Sequence, residues 1–409
     1  MGRTEASSWR GRRSIAVVAV AVVFLGALAT VRPLPGRAAP NQFVTVSDGV
    51  QIAVNVRLPD GYVPGRRYPT VFEMSGYDGG SAEDGTLARD LARATGVEGL
   101  PLQDDSRQLT RMFNAQYATV HASVRGTGCS SGEFDLFSWR SALDGREVID
   151  GWIAAQPWSN GDVAIMGHSY GGITGMMVAA TRPAHLRAVT VSGLVDDLYR
   201  GLLRPGGVAN VGFPVTWGAG VRPAYDVAAG LAPGLVRPEE PDDTPGRRVR
   251  CAANVAGKSR TVLDEPAFHA LSETDGPWFR ARSLVTTVDR VAAPTHVAGS
   301  HQDELTGPRG AAHLWERLRG VPRRLVLTNG DHATNQGPEV MADRKAWVDH
   351  WLLGADAGYG SLTERRSSVT TMLETRQGRA GARLSAHSFP YETTRWTDWY
   401  LHAGGRLSP

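Results

Sequence analysis

The chain lacks what several large functional classes need. Only two of its 409 residues are cysteine, and no cluster of cysteine, histidine or carboxylate residues has metal-ligand spacing, so no metal site is expected. No glycine-rich loop fits a phosphate or a dinucleotide, and no nucleotide cofactor is expected. Charge is nearly balanced, with 44 Lys and Arg against 41 Asp and Glu and a formal net charge of +3. No run of basic residues interleaved with aromatics argues for nucleic acid as a partner. Internal repeats and low-complexity tracts are absent too. What remains is a globular composition, long enough for a large core and about two or three domains.

The N-terminus is distinctive. Arg10, Arg12 and Arg13 precede an uncharged stretch, 14–31, which is followed by Arg32, Pro33 and small residues. This pattern predicts that residues 1–39 are a secretory signal, cleaved after Ala27-Leu28-Ala29 or after Arg37-Ala38-Ala39. The rival is a retained membrane anchor, because about 18 apolar residues can just span a bilayer. Arg12-Arg13 also leaves a twin-arginine export route open. Contact with a membrane is expected only through this segment. Export places the protein outside the cell, where Cys129 and Cys251 are expected to form a disulfide. No motif around Cys129 resembles that of a nucleophilic thiol.

After this segment, strands and helices alternate. Apolar and polar residues alternate through 43–46 and 50–58 around Ser47-Asp48-Gly49, which predicts a β-hairpin with Asp-Gly in its turn. Strands are expected at 68–74, 117–124, 163–166, 185–192, 294–299 and 324–327. Helical spacing marks Asp144, Val148, Ile149, Trp152 and Ile153, then 172–181, then Leu314, Trp315 and Leu318, and finally 339–353. This succession implies an α/β fold, a parallel sheet covered on both faces. Residues 81–115 are polar and poorly periodic, and read as an excursion with short helices. From 196 to 291 the alternation stops again, and a segment of that length between strands is expected to fold as a lid. Trp217, Trp278 and Phe279 are its candidates for lining an acyl or leaving-group pocket, although core packing is the commoner role of such rings.

The chemistry centres on Gly167-His168-Ser169-Tyr170-Gly171-Gly172. An apolar strand that stops at Gly-x-Ser-x-Gly and passes directly into a helix puts the serine on a strained bend with its hydroxyl projecting. The glycines let helix and strand approach, and amides at the new helix N-terminus point to where an oxyanion would form. A serine hydroxyl needs a base, and a histidine base needs a third group to fix its tautomer. Of eleven histidines, His332 sits in a turn just after a late apolar strand. Asp303 holds the same position after the preceding strand, with Glu304 and Asp331 as close rivals. Tyr77, in the glycine-rich tip after strand 68–74, reads from the pattern alone as an ordinary loop tyrosine.

Five separated motifs lie in a fixed order: Asp48-Gly49; Tyr68-Pro69 with Tyr77-Asp78; Val124-Arg125-Gly126-Thr127-Gly128 with Ser131-Gly132-Glu133-Phe134; Gln156-Pro157-Trp158; and the serine turn itself. Together they resemble the cocaine esterase and X-prolyl dipeptidyl-peptidase family (CocE/NonD, peptidase S15-like) across most of residues 43–355. The resemblance implies an α/β-hydrolase fold with a helical cap, and hydrolysis of ester or amide bonds. It implies Ser169 as nucleophile, Asp303 as orienting acid and His332 as general base, with the Tyr77 hydroxyl and the Tyr170 amide as oxyanion donors. With the pattern above it gives five expected segments: the signal or anchor at 1–39, hydrolase core at 40–195 and 292–360, the cap at 196–291, and at 361–409 a linker with the first strand of an incomplete jelly roll. Family members usually carry the whole jelly-roll sandwich, whereas here its opening strand resembles residues 388–408 and the chain stops at Pro409. The expectation is a truncated protein or a fragment, with a sticky lone strand and self-association.

The leading expectation is therefore a secreted serine hydrolase of a small-molecule ester or a peptide, working through an acyl-enzyme and without a cofactor. An X-Pro dipeptidyl-peptidase or an α-amino acid ester hydrolase is the alternative within the family. Either must bind a substrate ammonium, for which Asp196, Asp197 and Glu304 are the available carboxylates. A different class of alternative is an inactive, truncated hydrolase fold used for binding.

Overall fold

The computed structural model describes residues 38–77, 111–212, 217, 247–257, 272–356, 367–376 and 379–409. Residues 1–37 of the expected signal and most of the 81–115 excursion lie outside them. So do residues 238–245, whose prolines and carboxylates read in the sequence as an exposed loop.

The framework is one ten-stranded sheet. In chain order its strands are β1 (Ala38–Thr45), β2 (Gln51–Arg57), β3 (Tyr68–Ser75), β4 (Ala118–Ser123), β5 (Ser159–His168), β6 (Leu186–Ser192), β7 (Thr295–Ser300), β8 (Arg323–Thr328), β9 (Ser367–Arg376) and β10 (Arg379–Ala386). Their spatial order is β1-β2-β4-β3-β5-β6-β7-β8-β9-β10. Strands β4 to β9 run parallel in that order, and antiparallel pairs close both edges. The expected hairpin forms, with Thr45 opposite Gln51 across the Asp48-Gly49 turn.

Helices cover both faces because alternate residues of a strand point to opposite sides. Val163 and Ile165 of β5, with Val189 and Val191 of β6, pack into the cluster that holds Ile149, Met176 and Val178. Those partners come from α1 (Trp139–Glu147) with its continuation Val148–Ile153, and from α2 (Ser169–Ala180). Ala164, Met166 and Ala188 point the other way, onto Trp347 and Val348. Burying each large apolar side chain contributes roughly 1.5–3 kcal/mol, so the one-in-two alternation specifies the register of the central strands. Trp347 and Val348 belong to a long helix at 338–353. That helix and α2 hold the two faces of β5 between them.

Between β6 and β7 lies the insertion, whose described parts include α3 (Arg247–Ala256) and a short helix at Pro277–Ala281. Then come α4 (Gly310–Arg317), between β7 and β8, and α5 (Pro338–Leu353), after β8.

The C-terminal expectation needs correction. Residues 367–386 are not a linker: β9 runs parallel to β8 with Val369 opposite Leu325, and β10 completes the sheet edge. Val369 and Met372 are buried against the core while most of β10 is exposed, which hides the strand in an otherwise polar sequence. The core therefore continues past residue 360. In 388–408 the paired segments are Tyr400–His402 and Arg406–Ser408, a small separate hairpin. Trp396, Trp399 and Leu401 are exposed there.

Candidate active site

Strand order brings the site together. β3 and β5 are neighbours, with Phe72 opposite Ile165, while β4 lies on the far side of β3. The carboxyl ends of β3 and β5 thus open onto a switch point, where open α/β sheets place ligands. Tyr77 follows β3 and Ser169 follows β5. β7 and β8 are likewise adjacent, with Ser300 opposite Thr328, so the loops that carry Asp303 and His332 leave the sheet side by side.

At the elbow His168 is still extended, and Ser169 has a φ of +54°. A side chain in that left-handed region costs roughly 1–2 kcal/mol, which the surrounding packing must offset. Gly167 makes the bend possible, since a Cβ there would lie 2.3 Å from the Gly171 carbonyl oxygen. All twelve residues of α2 are buried. Ser169 sits at the start of this helix, where the backbone amides are not used by the helix ladder.

Asp303 and His332 are both buried and joined, with Nδ1 2.8 Å from Oδ2 and 2.9 Å from Oδ1. Asp303 Oδ1 also accepts from the amides of Leu305 at 3.1 Å and Thr306 at 2.7 Å, and Oδ2 accepts from the Thr306 hydroxyl at 2.7 Å. Burial pushes this carboxyl up, but the His332 hydrogen bond and charge, with the Thr306 donors, bring it below its ordinary value. The carboxylate therefore stays ionised and holds the imidazole proton on Nδ1. His332 Nε2, the other ring nitrogen, is buried with no hydrogen-bond partner among the described residues. The rivals have other work. Glu304 accepts the His332 backbone N–H at 3.0 Å, and Asp331 caps its own turn through Thr334.

Beneath this pair lies a layer that the sequence did not disclose. The His168 ring lies 4.4 Å from that of His332, centroid to centroid, and its Nδ1 is 2.9 Å from Ser192 Oγ. Arg344 of α5, fully buried, donates to Ser192 Oγ at 3.2 Å and to the Gly167 carbonyl at 2.8 Å. Burial, the nearby His332 and Arg344 push the His168 imidazole well below its ordinary value, so it is a neutral ring. On a helix otherwise spaced like a surface element, Arg344 gives no sign in the sequence that it is buried. Thr306 did offer a signal, as a threonine three residues after an aspartate.

Ser169 lines a pocket. Its walls are apolar: Leu136, Phe137, Ile173, Val195 and Leu198, closed by Trp217 and Trp278 of the insertion, with Tyr77, Tyr170 and Thr306 at its polar rim. Trp217 and Trp278 thus line the same pocket as Ser169. Phe279 does not line the pocket. It is buried behind Trp278, edge-on at 5.1 Å, because neighbouring residues of a helix cannot face the same way. Asp197 is also turned away from the pocket: it caps the 198–203 turn through the Arg200 amide and pairs with the Arg200 guanidinium. Asp196 is held by Arg309 and His313.

The 125–133 loop is pinned from two sides. Arg125 donates twice to the buried Asp144 of α1, at 2.7 Å each. Cys129 is bonded to Cys251 of α3, with their Cα atoms 4.7 Å apart.

Sheet order, elbow and pocket together define an α/β-hydrolase with a serine at its nucleophile turn. Residues 48–334 match the model of the X-Pro dipeptidyl-peptidase (S15) family, and the chain belongs to that family. Cocaine esterase of Rhodococcus sp. (strain MB1 Bresler) is 28% identical over 400 residues, which cover 90% of this chain and 62% of that protein. Xaa-Pro dipeptidyl-peptidase of Lactiplantibacillus plantarum is 25% identical over 283 residues, covering 61% of this chain and 31% of that one. A CocE/NonD family hydrolase from Staphylococcus aureus has the same fold, with a TM-score of 0.63 at 17% identity over 93% of this chain and 63% of that one. The chain spans less than two thirds of the length of each of these proteins. Among the described residues no group of histidine, cysteine and carboxylate side chains is arranged to hold a metal ion.

Proposed function

We propose that this chain is a serine hydrolase of carboxylic esters that works through an acyl-enzyme on Ser169. The observation that carries the proposal is the buried Asp303–His332 pair, whose second imidazole nitrogen has no partner among the described residues, together with a strained serine that lines an apolar pocket. In the first half-reaction His332 Nε2 takes the hydroxyl proton as Ser169 Oγ bonds to the acyl carbon. The Tyr170 amide and the Tyr77 hydroxyl receive the oxyanion, and His332 returns the proton to the departing alcohol. In the second, water takes the place of the alcohol and frees the acid. Asp303 keeps the imidazole in the productive tautomer throughout.

An aminopeptidase-type activity is the second reading, favoured by membership of the S15 family. What supports the ester is the pocket wall. Its described residues include no carboxylate to meet a substrate ammonium, and Asp196, Asp197 and Glu304 are each engaged elsewhere. Export is also part of the proposal, supported by the disulfide, which suits an oxidising compartment.

Labelling with a fluorophosphonate that disappears in Ser169→Ala tests the nucleophile, and an unlabelled native protein points instead to a binding protein with a silent hydrolase fold. Turnover of 4-nitrophenyl esters against X-Pro 4-nitroanilides then separates the two activities. Faster cleavage of the anilides would reverse the choice of substrate.

A further inference from the structure

We infer that Trp217 is a positioning residue of the oxyanion hole, one side chain of the insertion that orients both groups proposed to meet the oxyanion. This rests on the hydrolase reading above. The Trp217 indole N–H donates to the Tyr77 hydroxyl oxygen, with Nε1 and Oη 3.2 Å apart. The face of the same indole stacks on the Tyr170 ring, at 6.0 Å between centroids and 19° between planes. Phe137 packs on Tyr170 as well, at 4.7 Å. The residue that follows the nucleophile is therefore held between a core ring and a ring of the insertion.

An aromatic residue that only filled space would not need a polar hydrogen aimed at a phenol oxygen. Trp217 is buried, and its N–H has one direction, fixed by the ring plane. A phenol rotates easily about its C–O bond, and its oxygen can both accept and donate. Once that oxygen accepts the indole N–H, its own proton turns to a different acceptor, and the rotor has a preferred setting. Donors set before charge develops are what make an oxyanion hole effective, since no reorganisation is then needed during the reaction. Gly76 lets the Tyr77 loop ride close on the Tyr170 ring, for a Cβ there would lie 2.6 Å from it. Tyr77 and Tyr170 are themselves 5.8 Å apart, centroid to centroid. The insertion thus contributes to rate as well as to the choice of substrate.

The test is a double-mutant cycle of Trp217→Phe and Tyr77→Phe, read with 4-nitrophenyl acetate, whose acyl group is too small to depend on the pocket wall. Trp217→Phe keeps an aromatic face for Tyr170, though a smaller one, and loses the N–H. The expected result is a loss in kcat of about fivefold to tenfold, the worth of one hydrogen bond, with KM nearly unchanged. In the Tyr77→Phe background the same substitution should cost less than about twofold, because the two residues act through one contact. Trp217→His, which restores a ring N–H, should recover part of the loss, and it serves as the test variant if Trp217→Phe does not fold. Equal losses in both backgrounds, or no loss in either, overturn the role of Trp217 and leave the hydrolase reading intact. Full activity in Tyr77→Phe alone removes Tyr77 as a donor, and the inference falls with it.

Discussion

His168 and His332 lie ring to ring, 4.4 Å apart at 44°, and each has a buried Nε2 with no hydrogen-bond partner among the described residues. One imidazole is the proposed base. The other, tied to Ser192 and through it to Arg344, is a neutral plate that fixes where the first can lie. Gly193 packs against both rings: its φ is +60°, and a Cβ there would come 2.9 Å from Cε1 of each.

Gly193→Ala should therefore lower kcat by about a hundredfold, the scale of an ångström-sized misplacement of a catalytic group. It should also cost about 1 kcal/mol or more of stability, from the positive φ. Steady-state kinetics and urea denaturation read the two effects separately. Native-like kcat would mean that the rings can move aside without consequence.

The buried state of His168 sets a pH dependence of stability. Unfolded, the ring binds a proton below about 6.5; folded, burial first and then His332 and Arg344 delay protonation to well below that value. Over that interval the unfolded chain holds more protons, so stability is fully present above about 6.5 and is lost as pH falls toward the folded value. His296, pushed down chiefly by burial, adds a slope of the same sign. Melting temperatures taken between pH 7 and pH 5 should decline. His168→Gln should decline less steeply, and an unchanged slope would place the dependence elsewhere.

Three neighbouring carboxylates can be separated by amide substitution. Asp303→Asn should reduce kcat by about ten-thousandfold, as loss of the orienting charge does in serine hydrolases. Glu304→Gln and Asp331→Asn keep their acceptor oxygens for backbone groups and should stay within about threefold of the native rate. A large loss in Glu304→Gln with little in Asp303→Asn would reverse the assignment.

Arg125→Met leaves Asp144, which is fully buried, with a single guanidinium, that of Arg140. Breaking a buried pair in this way costs about 3–5 kcal/mol. Chemical denaturation should show a loss of that order; a loss under about 1 kcal/mol would mean that Arg140 compensates.

What could be read in the sequence was local or ordered along the chain. The serine turn declares itself within six residues, and the order serine, aspartate, histidine along successive strands pointed to Asp303 and His332. Choices between adjacent residues were harder. Glu304 lies beside Asp303, and Phe279 beside Trp278, and only the direction of each side chain tells pocket from support. β9 and β10 leave no alternation to read, because the buried residues of β9 are the unbroken run Val369 to Met372 with two threonines inside it, and β10 is mostly exposed. Arg344 was missed for the opposite reason: it is charged yet buried, and its partners are carbonyls and hydroxyls of distant strands.

The Cys129–Cys251 bond joins residues 122 positions apart and closes a large ring of chain. That ring contains Ser169, the proposed nucleophile, and the first part of the insertion, while Asp303 and His332 lie outside it. A protease that cuts once anywhere between the two cysteines leaves both pieces covalently joined, with serine and histidine still on one molecule. Such a nick is invisible on a non-reducing gel and splits the band only after reduction. Digestion of the native enzyme, followed by activity measured before and after a thiol reductant, would show whether the ring alone keeps a broken chain in working order.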